Sequence, residues 1–179
     1  MGREIRRVPP NWKHPVYTED DAPRRNLVGK LRPCDDKDYE TAAKEWIEDF
    51  EKWQRGEHDV QGKSYASSYR YFWEYGSPPD EAVHRPAFTE EPTWFQMYET
   101  VSEGTPCTPP FETKEELVDW LVEKGECHGT RHERRFTRAQ AEAFVKQEWA
   151  PSFVFTKERG IETGVEHSET VQYRHRRLT

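Results

Sequence analysis

The sequence predicts an α+β fold: a small antiparallel sheet packed with three to four amphipathic helices, plus an extended N-terminal arm and a loop-rich shell. Three observations predict it. Two helical stretches open on capping boxes, Thr113 with Glu116 and Thr137 with Gln140, in which side chains satisfy the otherwise unpaired amides of a helix start. A central run, TWFQMYETV over residues 93–101, has the aromatic and β-branched content of a strand. The chain is only 33% hydrophobic, yet 13% of it is aromatic and seven residues are Trp, so a few large rings can build a core from a polar sequence. Thirteen Pro and ten Gly leave much of the rest to loops.

Taken in order, residues 1–36 read as an extended arm, because Pro9, Pro10, Pro15, Pro23 and Pro33 interrupt any helix. Ile5, Val8, Trp12 and Tyr17 are its expected anchors. A compact domain is expected over residues 37–166 and a mobile basic tail over 167–179. The first helix spans residues 38–54, with Ala43, Trp46, Ile47, Phe50 and Trp53 at helical spacing and Gly56 at its end. Residues 64–75 are read as a second helix gathering Tyr65, Tyr69, Phe72 and Trp73, closed by Gly76 and Pro78. A Pro-containing linker over 77–92 leads to the central strand, whose two faces carry Phe95 with Met97 and Trp94 with Gln96 and Tyr98.

The Thr113 box opens a helix with Leu117, Trp120 and Leu121 as its apolar stripe and Gly125 as its stop. The Thr137 box opens another over 138–149, burying Ala141, Phe144, Val145 and Trp149 and closed by Pro151. Short strands are expected at 152–156 and 161–165, joined at Arg159 and Gly160.

The net charge is −7, unevenly placed: residues 1–33 carry +4, 34–60 carry −6, 61–130 carry −8 and 131–179 carry +3. An acidic body argues against broad binding to a nucleic-acid backbone, which needs clustered Lys and Arg. No apolar run follows Met1 to make a secretory leader, and no stretch approaches the roughly 20 apolar residues of a membrane helix, so no membrane partner is expected. Cys34, Cys107 and Cys127 are too far apart to suggest a disulfide framework, which favours a reducing compartment.

Candidate chemistry is sparse. Cys107, Cys127, His128 and His132 offer four zinc-type ligands, but they lack a Cys-x-x-Cys knuckle and two of them are adjacent. Neither a metal nor any other cofactor is expected. Ser102 has no nucleophile elbow and no local His, while Glu99 and Glu103 are one chance pair among 34 acidic residues. No catalytic residue is assigned. The more distinctive groups are those of recognition. Arg6 and Arg7 alternate with apolar residues on the arm, Trp12 and His14 follow, and the polar loop after the central strand presents Tyr98, Glu99, Ser102, Glu103, Gly104 and Thr105. These ten are the candidate binding residues.

Three segments resemble, in order along the chain, a family of small bacteriophage and prophage proteins. They are GREIRRVPPNWKHP (residues 2–15), WFQMYETVSEGTPCTPPFETKEELVDWL (94–121), and WAPSFVF (149–155) followed by GVE (164–166). The chain departs from the pattern in having Thr163 where Ser is expected before the glycine, and in the thirteen residues that follow Glu166. The resemblance implies expression in the cytoplasm of a bacterial host and no particular activity. The functional expectation is an accessory protein that binds a host protein or small ligand, with counter-defence as its purpose. A small enzyme acting on nucleotides or cell-envelope material, or a virion or assembly component, are the alternatives.

Overall fold

The first strand, β1 (Arg3–Val8), is an inner strand of the sheet that carries the larger of two structural units. The computed structural model describes residues 2–100, 104–125, 135–158 and 160–170. After β1 come β2 (Asp35–Asp38), α1 (Tyr39–Gln54), the single-turn α2 (Phe72–Tyr75) and β3 (His84–Arg85). Next are β4 (Trp94–Glu99), β5 (Thr105–Pro106), α3 (Lys114–Lys124) and α4 (Arg138–Gln147). The described chain closes with β6 (Trp149–Ala150), β7 (Val154–Thr156), β8 (Gly160–Glu162) and α5 (Gly164–His167). One unit comprises residues 1–34 and 88–179, the other residues 35–87.

The larger unit is built on a four-stranded antiparallel sheet in the order β5-β4-β1-β6. Six residues of β1 pair with six of β4, from Arg3 opposite Glu99 to Val8 opposite Trp94. Because side chains alternate across a strand, this register sorts them into two sets. Ile5, Met97 and Phe95 turn to the core, where they meet Leu117, Val118 and Leu121 of α3 and Ala141, Phe144 and Val145 of α4. Glu4, Arg6, Gln96 and Tyr98 share the opposite face. The helices follow from local sequence as expected: both capping boxes form, with Thr113 Oγ1 accepting from Glu116 N and Thr137 Oγ1 from Gln140 N, each at 3.2 Å. Gly125, at φ 76°, ends α3 in a conformation that glycine adopts without steric cost.

Three expectations are corrected here. Residues 3–8, expected as part of an extended arm anchored on the body, are an inner strand of the sheet itself. Trp149 leaves α4, because Glu148 turns left-handed at φ 61° and directs the chain into β6 beside β1. The second strand of the C-terminal pair stops at Glu162, and Val165 is buried on α5. Thr163 caps that short helix: its hydroxyl donates to Glu166 Oε2 at 2.8 Å and accepts from Glu166 N at 3.2 Å. Thr163 therefore does what a serine would do, and the GVE segment is the body of a further capping box.

The smaller unit has a different logic. Asp38 caps α1 by accepting from Thr41 N at 2.9 Å and Thr41 Oγ1 at 3.0 Å. Those bonds, that from Thr41 N foremost, hold its carboxyl below the ordinary carboxylate value. Trp46, Phe50 and Trp53 project from α1 onto Phe72, with ring centroids 5.2, 5.7 and 5.8 Å from its own. His58 closes the ring of neighbours at 5.6 Å, and Trp46 Nε1 donates to Gly76 O at 2.7 Å. Phe72 is 3% exposed and is the hub of this cluster. The predicted helix over 64–75 reduces to one turn, α2, preceded by a 3-10 turn at Ala66–Ser68. Ser and Tyr hold a helix weakly, and Phe72 alone supplies the burial. Tyr65 and Trp73 are exposed, so the aromatic stripe expected over 64–75 does not form, and on α1 Ile47 is exposed beside the packed Trp46, Phe50 and Trp53.

Gly164 lies where an added Cβ would run into the carbonyl oxygen of Pro151. Gly164→Ala is expected to destabilise the protein by about 2 kcal/mol, the usual scale of overpacking. Thr163→Ala should lose about 1 kcal/mol of capping while Thr163→Ser stays within a few tenths. Urea unfolding of the three variants would test this, and equal loss for alanine and serine would remove the capping explanation.

Candidate functional site

The core-averted face of β1 and β4 carries Glu4, Arg6, Gln96 and Tyr98, and the segment from Trp12 to His14 lies over it. Tyr98 is 3% exposed. Its hydroxyl donates to Gln96 Oε1 at 2.8 Å and accepts from Trp12 Nε1 at 3.3 Å. Gln96 Nε2 in turn donates to Thr108 O at 2.7 Å, and Met97 N donates to Thr108 Oγ1 at 3.1 Å, tying β4 to the loop after β5. The Arg6 guanidinium sits 4.5 Å above the Tyr98 ring, donates from Nε to Glu4 Oε1 at 2.6 Å and from a terminal nitrogen to Cys34 O at 2.8 Å. A planar fork is needed to stack and donate in two directions at once, which a lysine could not do.

His14 completes the network. Its Nε2 lies 2.7 Å from Arg32 O, and since a carbonyl only accepts, that nitrogen carries the proton. In the neutral ring Nδ1 is then unprotonated and stands 3.5 Å from the Tyr98 hydroxyl, whose one proton goes to Gln96 Oε1. Burial pushes the imidazole below its ordinary value near 6.5, and the Arg6 and Arg32 charges add to that shift while the bond to Arg32 O opposes it.

Gly104 explains how the loop reaches this face. It is buried with φ 99°, and an added Cβ would strike Cys34 O and crowd the Arg6 guanidinium. The backbone there accepts from Cys34 N at 3.3 Å, so chain segments distant in sequence meet where only glycine fits.

Among the ten candidate binding residues, Arg6, Trp12, His14, Tyr98 and Gly104 come together here. Arg7 lies on the other face, exposed, with its guanidinium 4.2 Å from the Phe95 ring centroid. Glu99 is also on that face, buried in an ion pair with Arg3 at 3.1 Å. Thr105 is half-buried opposite Glu99 on β5. Ser102 and Glu103 lie outside the described residues, as do Cys127, His128 and His132. Among the described residues no group of three His, Cys, Asp or Glu is placed to hold a metal ion. Sequence reading missed Glu4, Gln96, Thr108 and Cys34. The first two were accessible from strand alternation alone, once residues 3–8 were read as a strand opposite residues 94–99.

The arrangement is a fastening: its polar groups face inward and satisfy one another. The surface it leaves open lies elsewhere, on the β7–β8 hairpin. Phe155 and Ile161 are directly paired across the two strands and Phe153 is two residues before Phe155. At 71%, 74% and 66% exposure they are the most exposed of the large hydrophobic residues described. Comparison with protein-family models, with curated proteins and with solved structures gives no match to this chain.

Tyr98→Phe should destabilise by about 2 kcal/mol, because it leaves the buried Gln96 amide and the Trp12 N–H each short of a partner. The fold favours neutral His14, so its contribution is intact above the unfolded value near 6.5 and is lost as pH falls below that toward the lower folded value. The stability gap between wild type and His14→Gln, measured by urea unfolding, should therefore shrink between about pH 7.5 and about pH 5.5. A gap that does not change would mean that burial does not act on this imidazole.

Proposed function

We propose that this is a phage-encoded accessory protein that acts by binding a host protein, with counter-defence as its purpose. The phage origin rests on the resemblance of the three segments described above. The binding mode is supported by one observation above others, the apolar ridge formed by Phe153, Phe155 and Ile161 on the hairpin. Burying large side chains is the main favourable term in association, and water-exposed aromatics grouped on one face are the kind of residues that act as interface anchors. An isolated two-stranded hairpin is also only marginally stable in water, so covering this face would stabilise the element that carries it.

The candidate residues Arg6, Trp12, His14 and Tyr98 enter the proposal as support. They hold the N-terminal segment on the sheet, and in this reading their substitution changes partner binding only through folding. The ridge acts directly.

The test compares wild type with Phe155→Asp/Ile161→Asp in native mass spectrometry and in capture from a bacterial lysate. The wild type should retain one protein at fixed stoichiometry; the double variant should lose it with a thermal midpoint within a few degrees of wild type. Capture by both alike would remove the ridge as the recognition surface. A wild type that forms a closed oligomer through the ridge would instead favour the virion or assembly role.

A further inference from the structure

Along one side of α3 runs an open groove of about 470 Å³ that neither the N-terminal network nor the hairpin uses. Its apolar lining is Trp94, Pro110, Phe111 and Trp120, and its charged lining is Glu112, Glu116, Asp119 and Glu123. No basic residue lines it. We propose that this groove is a docking site for a basic peptide segment of a partner protein, with an arginine or lysine side chain laid against the aromatic walls.

The walls are fixed by the fold. Phe111 exchanges two backbone hydrogen bonds with Phe95, at 2.7 and 2.8 Å, which pins its ring beside the sheet. The Trp120 ring lies 6.3 Å from it at 54°, so the two present a cleft and not a single flat surface. Trp94, Phe111 and Trp120 are each half-buried, anchored on one side and open on the other. The electron-rich faces of such rings attract a cation, most strongly for Trp.

The acidic rim follows from helical spacing. Glu116, Asp119 and Glu123 recur at three and four residues and so project from one side of α3. Asp119 already takes a guanidinium, that of Arg138 at 2.6 Å, and Glu123 takes the ammonium of Lys124 at 2.7 Å. Glu116 spends one oxygen on the Thr113 amide of the capping box at 3.2 Å. Glu112 has neither an ion pair nor a hydrogen bond among the described residues, and it adjoins Phe111 at the mouth. The lining is thus of one charge sign with aromatic walls, which complements a cation with an aliphatic stem and repels anionic ligands. The groove is open and much larger than a single ammonium group, which favours a side chain carried on an extended peptide over a small free cation.

This inference does not rest on the hairpin, and its test leaves the hairpin untouched. Fluorescence anisotropy would follow a dye-labelled peptide of alternating Arg and Gly, with the matching Gln and Gly peptide as control. Wild type should bind the Arg peptide and not the Gln peptide. Glu112→Gln/Glu116→Gln, in which Gln still completes the capping box, should weaken binding by about tenfold, and Trp94→Leu by a similar factor. Glu40→Gln/Glu48→Gln, which removes the same charge from α1, should leave it within twofold. Equal weakening by both pairs would show attraction to net charge alone and overturn the proposal. So would tetramethylammonium chloride binding to wild type where the Arg peptide does not. Circular dichroism melts of each variant separate lost binding from lost folding.

Discussion

The register of β1 against β4 is the constraint on which the larger unit depends. Arg3 stands opposite Glu99 and both are buried, with the ion pair at 3.1 Å. A slip of one residue would move each side chain of β1 to the opposite face and leave two charges in the interior without each other. The correct register instead gives Ile5, Met97 and Phe95 to the helices and Glu4, Arg6, Gln96 and Tyr98 to the segment that packs on the far side. A buried pair of this kind is weak evidence for net stability, since desolvation offsets most of the attraction; what it enforces is alignment.

From that alignment the roles of the three motif segments follow. Gly104 is the point at which Cys34 and Arg6 reach the loop after β4, and Gly164 the point at which α5 meets Pro151. Thr163 and Glu166 cap α5, and that helix is held to α4 by Gln140 donating to Glu166 O and Gln147 to Ser168 O. Many motif residues close the fold in this way, while Phe153 and Phe155 of the third segment stand exposed and Trp94, Phe111 and Trp120 of the second line an open groove. The same stretches of chain thus supply both the fastenings and the open surfaces: neighbouring residues alternate between the two.

The two units solve the shortage of apolar residues differently. The larger divides its burial between aliphatic helix faces and strand residues. The smaller gathers Trp46, Phe50, Trp53 and His58 around Phe72, each ring pair adding about 0.5–1.5 kcal/mol beyond area burial. That concentration lets a charged helix such as α1 fold with none of its residues fully buried. Among the described residues no helix is long and apolar enough to cross a membrane.

By itself the sequence determined what depends on neighbours a few residues apart. The Thr113 and Thr137 boxes, the stop at Gly125, the central strand and the α+β class are all short-range facts of hydrogen bonding and periodicity. It also singled out Arg6, Trp12, His14, Tyr98 and Gly104 as binding residues, and the chain gathers these five into a largely interior seam. Only the tertiary structure decided that residues 3–8 are a central strand, that Trp149 leaves its helix, and that Phe111, paired by its backbone with Phe95, walls a groove with Trp94 and Trp120. Those outcomes rest on contacts between residues distant in sequence. Their energy comes from burial and from pairing across strands, and the same short run of residues can satisfy either of two neighbourhoods until the chain has closed.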